Sequence, residues 1–167
     1  LAVPVRIIAT DLNTGEEVVF SEGPLDLAVR ASISIPGVFT PVPYGERLLV
    51  DGGLVAGVPV AAAAAMGMDL VFAVNVAGEL GPEPPRSVFD ILYRSSEIMM
   101  RRLDGIQIRQ AALVISPEVG GVGTLQFYRA EECIARGEAA ARAALPQIRQ
   151  LIGELQVDGA CAAGERA

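Results

Sequence analysis

The residues with the clearest chemical potential are Asp51, Gly52 and Gly53, which directly follow a short predicted strand at residues 47–50. A carboxylate at the end of a strand lies where open α/β sheets place their ligands. The two glycines permit a tight turn and the close approach of a substrate or of another backbone. Because Asp-Gly and Gly-Gly are also common turn dipeptides, the motif by itself favours an ordinary turn.

A nucleophile for hydrolytic chemistry is harder to find in this sequence. There is no histidine, which excludes a Ser-His-Asp triad, a Cys-His pair or a His-ligated metal built from these residues alone. No serine lies in a Gly-x-Ser-x-Gly motif. Ser32 and Ser34 shortly precede Pro36, so we predict that they are hydrogen-bonding groups at a helix end rather than nucleophiles.

The hydrophobic pattern predicts the elements that would position Asp51. A hairpin is predicted over residues 2–20, and a helix begins at Pro24 and ends by Pro36. Residues 36–44 are predicted to form a proline-rich loop. Further helices are predicted over residues 59–66, 87–109 and 130–155, the last with a break at Gly137 or Pro146, and further strands over residues 69–76 and 111–116. This alternation predicts a three-layer α/β/α fold around a mostly parallel sheet.

Charge and cysteine content limit the partners and the compartment. The net charge of −7 disfavours nucleic acid as a partner, because an acidic protein repels phosphate backbones. Cys133 and Cys161 have no metal-binding or redox spacing, so a reduced, cytoplasmic setting is predicted. No signal peptide or membrane span is predicted, because the longest apolar stretch is too short and contains Gly57 and Pro59.

The predicted helix over residues 87–109 carries a cluster of positive charges. We interpret this cluster as a solvated helix face in preference to a membrane-docking surface, with acidic partners on the same helix. The arginines and their predicted partners are Arg94, Arg101, Arg102, Arg109, Glu97 and Asp104.

Two longer stretches resemble a known family. Residues 31–42 read A-S-x-S-I-P-G-x-F-x-P-V, and residues 51–60 read D-G-G-L-V-x-x-V-P-V. Together with T-D-L-N-T-G-E at residues 10–16, they resemble the C-terminal half of patatin-like phospholipases, most closely the bacterial group related to neuropathy target esterase. The resemblance covers most of the sequence up to residue 155, and it makes a functional Asp51 the favoured interpretation.

The resemblance implies a patatin-like acyl-hydrolase fold with a serine–aspartate dyad. In this family a serine in Gly-x-Ser-x-Gly attacks an ester carbonyl, and the aspartate of D-G-G takes its proton without a histidine. Here that aspartate would be Asp51, with Gly52 and Gly53 shaping its turn. A carboxylate is a weak base in water and improves when its site is partly desolvated. No metal or cofactor is implied.

The sequence also departs from the family pattern. It lacks the Gly-x-Ser-x-Gly serine and the glycine-rich oxyanion loop, and it begins at Leu1 within an apolar strand. We therefore expect residues 1–157 to be the C-terminal portion of a single domain, followed by a flexible tail over residues 158–167. Ala56 and Gly57 stand where family members often have a polar residue, commonly asparagine.

These observations predict a lipid acyl hydrolase that acts on phospholipid, lysophospholipid or related acyl esters, with its serine outside this chain. The isolated chain is predicted to be inactive. A non-catalytic module that binds lipid or a partner chain, and a transacylase, remain open as alternatives.

The predicted partners follow from the same interpretation. They are an acyl-ester substrate, the missing N-terminal half of the domain, a transient membrane contact and a second copy of the chain, since an uncovered sheet edge favours self-association. An acyl pocket is one interpretation of a group of residues in the proline-rich loop, and buried loop packing is an equally favoured one. These residues are Pro36, Phe39, Pro41 and Val42.

Overall fold

The chain is an α/β protein with two sheets and five α-helices in the residues described by the computed structural model, which are 3–77, 80, 84–123 and 126–164, with side chains up to residue 156. The strands are β1 Ile7–Asp11, β2 Glu17–Phe20, β3 Val42–Tyr44, β4 Arg47–Asp51, β5 Phe72–Val74 and β6 Leu113–Ile115. The helices are α1 Leu25–Ser32, α2 Gly53–Ala56, α3 Val60–Ala64, α4 Val88–Gln107 and α5 Ala130–Gly164.

The larger sheet has the order β2-β1-β4-β3, and all three of its strand pairings are antiparallel. In the part of the chain that the structure describes, parallel pairing occurs only between β5 and β6, which form a separate sheet. The predictions of a mostly parallel sheet and of three layers are therefore not confirmed for this chain. The physical reason is that short turns join β1 to β2 and β3 to β4, and such turns connect only antiparallel neighbours.

The predicted N-terminal hairpin is confirmed, with Ile7 opposite Phe20 and Thr10 opposite Glu17. Its turn is built by Asp11, whose Oδ1 accepts the Asn13 N–H at 3.0 Å. Gly15 has a φ of +76°, a backbone conformation that side chains disfavour. These local interactions fix the register of β1, the strand that later borders Asp51.

The main hydrophobic core lies between α1 and the antiparallel sheet. Helix α1 turns the small side chains of Ala28 and Ala31 towards the strands, where they pack in one buried cluster with Ala9 and Leu49. Small residues let the helix backbone approach the sheet closely. A second cluster around Val60 and Ala73 packs α3 against the parallel pair of strands.

One prediction about the two long helices is confirmed and one is wrong. Ser87 caps α4 as expected, because its hydroxyl accepts the Asp90 N–H and the Asp90 carboxylate accepts the Ser87 N–H. The predicted break in α5 is wrong, since the helix passes through Gly137 and Pro146 to Gly164. The flexibility of residues 158–167 stays a prediction, and residues 165–167 lie outside the described residues.

Many apolar side chains of helix α4 are exposed to solvent. Leu92 is 65% exposed and Met99 is 72% exposed. On the parallel pair of strands, Val74 is 54% exposed as well. In the described part of the chain no helix is both long enough and apolar enough to cross a membrane.

Candidate active site

Asp51 is the last residue of β4, and it lies opposite Ala9 of β1. Its backbone is held on both sides. The Asp51 N–H donates to the Ser34 carbonyl oxygen at 3.0 Å, and the Asp51 carbonyl oxygen accepts the Thr10 hydroxyl at 2.8 Å. The strand end is therefore fixed by residues from β1 and from the segment after α1.

The Asp51 carboxylate is half-buried and only partly hydrogen-bonded. Its Oδ1 accepts the Gly53 N–H at 2.7 Å, and its Oδ2 has no partner among the described residues. Burial raises the pKa of Asp51 above its ordinary value, and the weaker opposing effect of the Gly53 N–H lowers that pKa. One carboxylate oxygen is thus held in place, while the other can accept a proton.

Gly52 is required by space rather than by an unusual backbone, and Gly53 has a close side-chain neighbour. A Cβ on Gly52 would overlap the Ile8 carbonyl oxygen and lie 2.7 Å from the Ile8 carbonyl carbon. A Cβ on Gly53 would lie 3.1 Å from Asp51 Oδ1. The chain can leave β4 beside β1 in this way only if residue 52 has no side chain.

Asp51 borders a cleft of about 330 Å³. The cleft lies where the start of β1 meets the end of β4. Its walls come from these two strands, from the end of α1 and from the segment of residues 52–59. The residues that line it are Arg6, Ile7, Ile8, Ser32, Asp51, Gly52, Gly53, Ala56, Gly57 and Pro59.

A second, wider groove of about 700 Å³ runs along α1. It is lined by Leu25, Asp26, Val29, Arg30 and Ile33, none of which borders the cleft at Asp51. It offers an apolar surface along a single helix, and its one carboxylate, that of Asp26, is exposed to solvent, whereas the carboxylate of Asp51 is half-buried. The smaller cleft is therefore the better candidate for chemistry.

The four residues predicted for an acyl pocket do not line the cleft at Asp51. Val42 lies in β3, within the segment predicted as a loop, and packs against the main core. The ring of Phe39 lies 5.6 Å from the guanidinium carbon of Arg30, in a cation–π arrangement. Pro36 is exposed and Pro41 is half-buried. Their role in acyl binding stays a prediction.

Of the two serines near the site, Ser34 has a structural role, and the hydrogen-bonding role of Ser32 stays a prediction. Ser34 is fully buried, and its hydroxyl donates to the Arg30 carbonyl oxygen at 2.6 Å while accepting from the Arg30 guanidinium. This confirms Ser34 as a hydrogen-bonding group at a helix end. Ser32 is the last residue of α1 and lies on the wall of the cleft.

A stripe on α4 contacts the residues that follow Asp51, and sequence reasoning missed it. The stripe consists of Met100, Asp104 and Gln107, whose spacing places them on one helix face.

Asp104 was predicted to be a solvated partner of arginines, but it is only 7% exposed, so that prediction is wrong for this residue. Arg94 and Glu97 do form the expected surface pair, at 3.7 Å. The signal available in the sequence was the spacing of the stripe, which resembles that of an ordinary amphipathic helix.

Comparison with known proteins finds matches over the part of the chain that contains the cleft. A sequence model of the family described as Patatin-like phospholipase matches residues 3–64, which include β1, α1 and the Asp51 turn. An uncharacterized NTE family protein of Mycobacterium bovis is 48% identical over 83 residues, covering 49% of this chain and 23% of that protein. Another, from Mycobacterium tuberculosis, is 29% identical over 163 residues, covering 83% of this chain and 28% of that protein.

A mammalian relative is also similar. Patatin-like phospholipase domain-containing protein 7 of Rattus norvegicus is 36% identical over 78 residues, which is 46% of this chain and 6% of that protein. These matches support a relationship between this chain and the patatin-like phospholipase family, in the group related to neuropathy target esterase. It spans about a quarter of the length of the mycobacterial relatives that it matches.

Proposed function

We propose that this chain supplies the proton-accepting half of a serine–aspartate dyad in a lipid acyl hydrolase, with Asp51 as the base. The observation that carries the proposal is the Asp51 carboxylate, which borders a cleft with Oδ1 bonded and Oδ2 without a partner among the described residues. The similarity to the family described as Patatin-like phospholipase is the reason to propose phospholipids, lysophospholipids or related acyl esters as the substrates.

The proposed chemistry needs only a serine beside that free oxygen. Polypeptide outside this chain supplies the serine hydroxyl, and Asp51 Oδ2 accepts its proton as the serine oxygen attacks the ester carbonyl. Asp51 then returns the proton to the leaving alcohol, and water hydrolyses the acyl-enzyme in the second half of the cycle. Backbone N–H donors from the same outside polypeptide stabilise the oxyanion.

The remainder of the domain is proposed to complete the fold as well. A three-layer α/β/α arrangement with a mostly parallel sheet would form when the serine-bearing half packs against this chain. The exposed apolar side chains Leu92 and Met99 support this proposal, because residues seven positions apart on α4 share one helix face, and adjoining exposed apolar side chains mark a contact site. Val74 on β5 is a further exposed apolar side chain. We propose a cytoplasmic enzyme that contacts membranes transiently.

A fluorophosphonate probe tests the proposal, because it labels only an activated serine. In the full-length protein, meaning the complete gene product that contains this chain, we expect one labelled serine outside the present 167 residues. The isolated chain is expected to remain unlabelled. Mass spectrometry of the labelled peptide identifies the site, and a full-length protein without any labelled serine would favour the non-catalytic binding module. Product analysis with an added alcohol separates hydrolysis from transacylation.

The pH dependence of kcat/KM should reflect the environment of Asp51. The base acts only when ionised, so activity is lost as the pH falls through the pKa of Asp51. Because burial raises that pKa, we expect the midpoint of the acidic limb to lie above the ordinary value for an aspartate. Measurement on a neutral ester avoids titration of the substrate. A midpoint at or below the ordinary value would argue against a partly desolvated base.

A further inference from the structure

Helix α4 packs directly on the short helix α2, which begins two residues after Asp51. Gln107 Nε2 donates to the Val55 carbonyl oxygen at 2.7 Å. Met100 Sδ lies 3.8 Å from the position that a Cβ on Gly53 would occupy. Residues more than forty positions apart in the sequence thus hold the segment that bonds the Asp51 carboxylate.

Asp104 occupies the space that a side chain at residue 57 would need. A Cβ on Gly57 would overlap Asp104 Oδ1 and lie 3.0 Å from its Cγ. Gly57 also lines the cleft at Asp51, so this contact lies at the edge of the candidate site. The Asp104 carboxyl can therefore lie in its observed position only because residue 57 has no side chain.

The Asp104 carboxyl is buried at a cost to stability. It is 7% exposed, and its Oδ1 has no hydrogen-bond partner among the described residues. An unpaired polar group in such a place is unfavourable, and groups of this kind cluster at functional sites. Burial raises the pKa of Asp104, and the nearby Arg101 charge lowers it to a smaller extent.

We propose that Asp104 is a positioning residue for Asp51. By filling the space beside Gly57, its carboxyl fixes α2 and with it the Gly53 N–H that binds Asp51 Oδ1. The inference rests on the proposed function and deepens it, because it assigns to α4 the placement of the base. Asp104 itself touches neither the substrate nor the reacting atoms.

A compensating pair of substitutions tests this role in the full-length protein. Gly57→Ala introduces an overlap with Asp104, and Asp104→Ala leaves a void beside Gly57. Each is expected to lower kcat for a soluble p-nitrophenyl ester by about tenfold or more, because small displacements of catalytic groups are costly. The double variant removes the overlap and partly refills the void, so kcat should recover to within about threefold of the wild type, since the misplacement that lowers the rate is relieved. KM should stay unchanged in Asp104→Ala, because Asp104 does not line the cleft.

Two further variants make the test specific. Asp104→Asn keeps the shape of the side chain and should retain kcat. This variant keeps the role of Asp104 testable if Asp104→Ala does not fold. Gly137→Ala, in open space on α5, serves as the matched control and should leave kcat unchanged.

The outcomes separate this inference from the proposed function. Folded single variants with normal kcat and only a lower melting temperature would overturn the positioning role. A double variant no better than the singles would overturn it too. A wild-type protein that neither hydrolyses the ester nor reacts with a fluorophosphonate would instead contradict the proposed function, and the inference would fall with it.

Discussion

Asp51→Asn in the full-length protein is expected to lower kcat for ester hydrolysis by about 10²–10⁴-fold, the usual contribution of a general base. The amide has nearly the same shape as the carboxylate, and its oxygen can still accept the Gly53 N–H that Asp51 Oδ1 accepts at 2.7 Å. The turn should therefore persist while the proton acceptor is lost. Steady-state kinetics at a pH well above the acidic limb measure the effect.

A matched surface substitution provides the control for this result. Asp69 is exposed and does not border the cleft, so Asp69→Asn should retain full activity. The melting temperature of Asp51→Asn should stay near that of the wild type. Normal turnover in a folded Asp51→Asn protein would remove Asp51 from the mechanism.

Gly52→Ala is expected to destabilise the protein by about 1–3 kcal/mol or more, as overpacking of a close contact does. The new methyl group would overlap the Ile8 carbonyl oxygen and crowd the Ile8 carbonyl carbon, and both of these atoms belong to the backbone. Relief therefore requires that the end of β4 separates from β1, where Ala9 pairs with Asp51. Urea unfolding of the full-length protein measures the loss, and activity should fall with it because Asp51 moves.

Gly137→Ala is the control for this second prediction. Its Cβ would meet open space within α5, and alanine favours helix over glycine by about 1 kcal/mol. The control should therefore be neutral or stabilising. Equal stability of Gly52→Ala and the wild type would show that the two strand ends are not closely packed.

Local features of the fold were predictable because their signals lie within a few residues. The turn chemistry at Asp11 and Gly15 defines the hairpin, and Ser87 with Asp90 defines the start of α4. The sheet was not predictable in the same way. Whether β4 pairs with β1 is decided by contacts across forty residues, and an alternation of strands and helices says nothing about that neighbour.

The candidate site shows the same division. Asp51 could be proposed from its place at a strand end and from the family resemblance of the surrounding motif. The burial of Asp104 could not, because its charge and its place on an amphipathic helix are typical of a solvated side chain. The packing of α4 on α2, which brings the carboxyl against Gly57, is a tertiary contact that no local pattern reveals.

The most direct test is a crystal structure of the unlabelled full-length protein. The serine to inspect in it is the one that a fluorophosphonate labels in a separate experiment. We predict that the serine Oγ lies about 2.6–3.2 Å from Asp51 Oδ2, within hydrogen-bonding reach. A serine bonded to a histidine instead, or separated from Asp51 by other side chains, would contradict the assignment of Asp51 as its base.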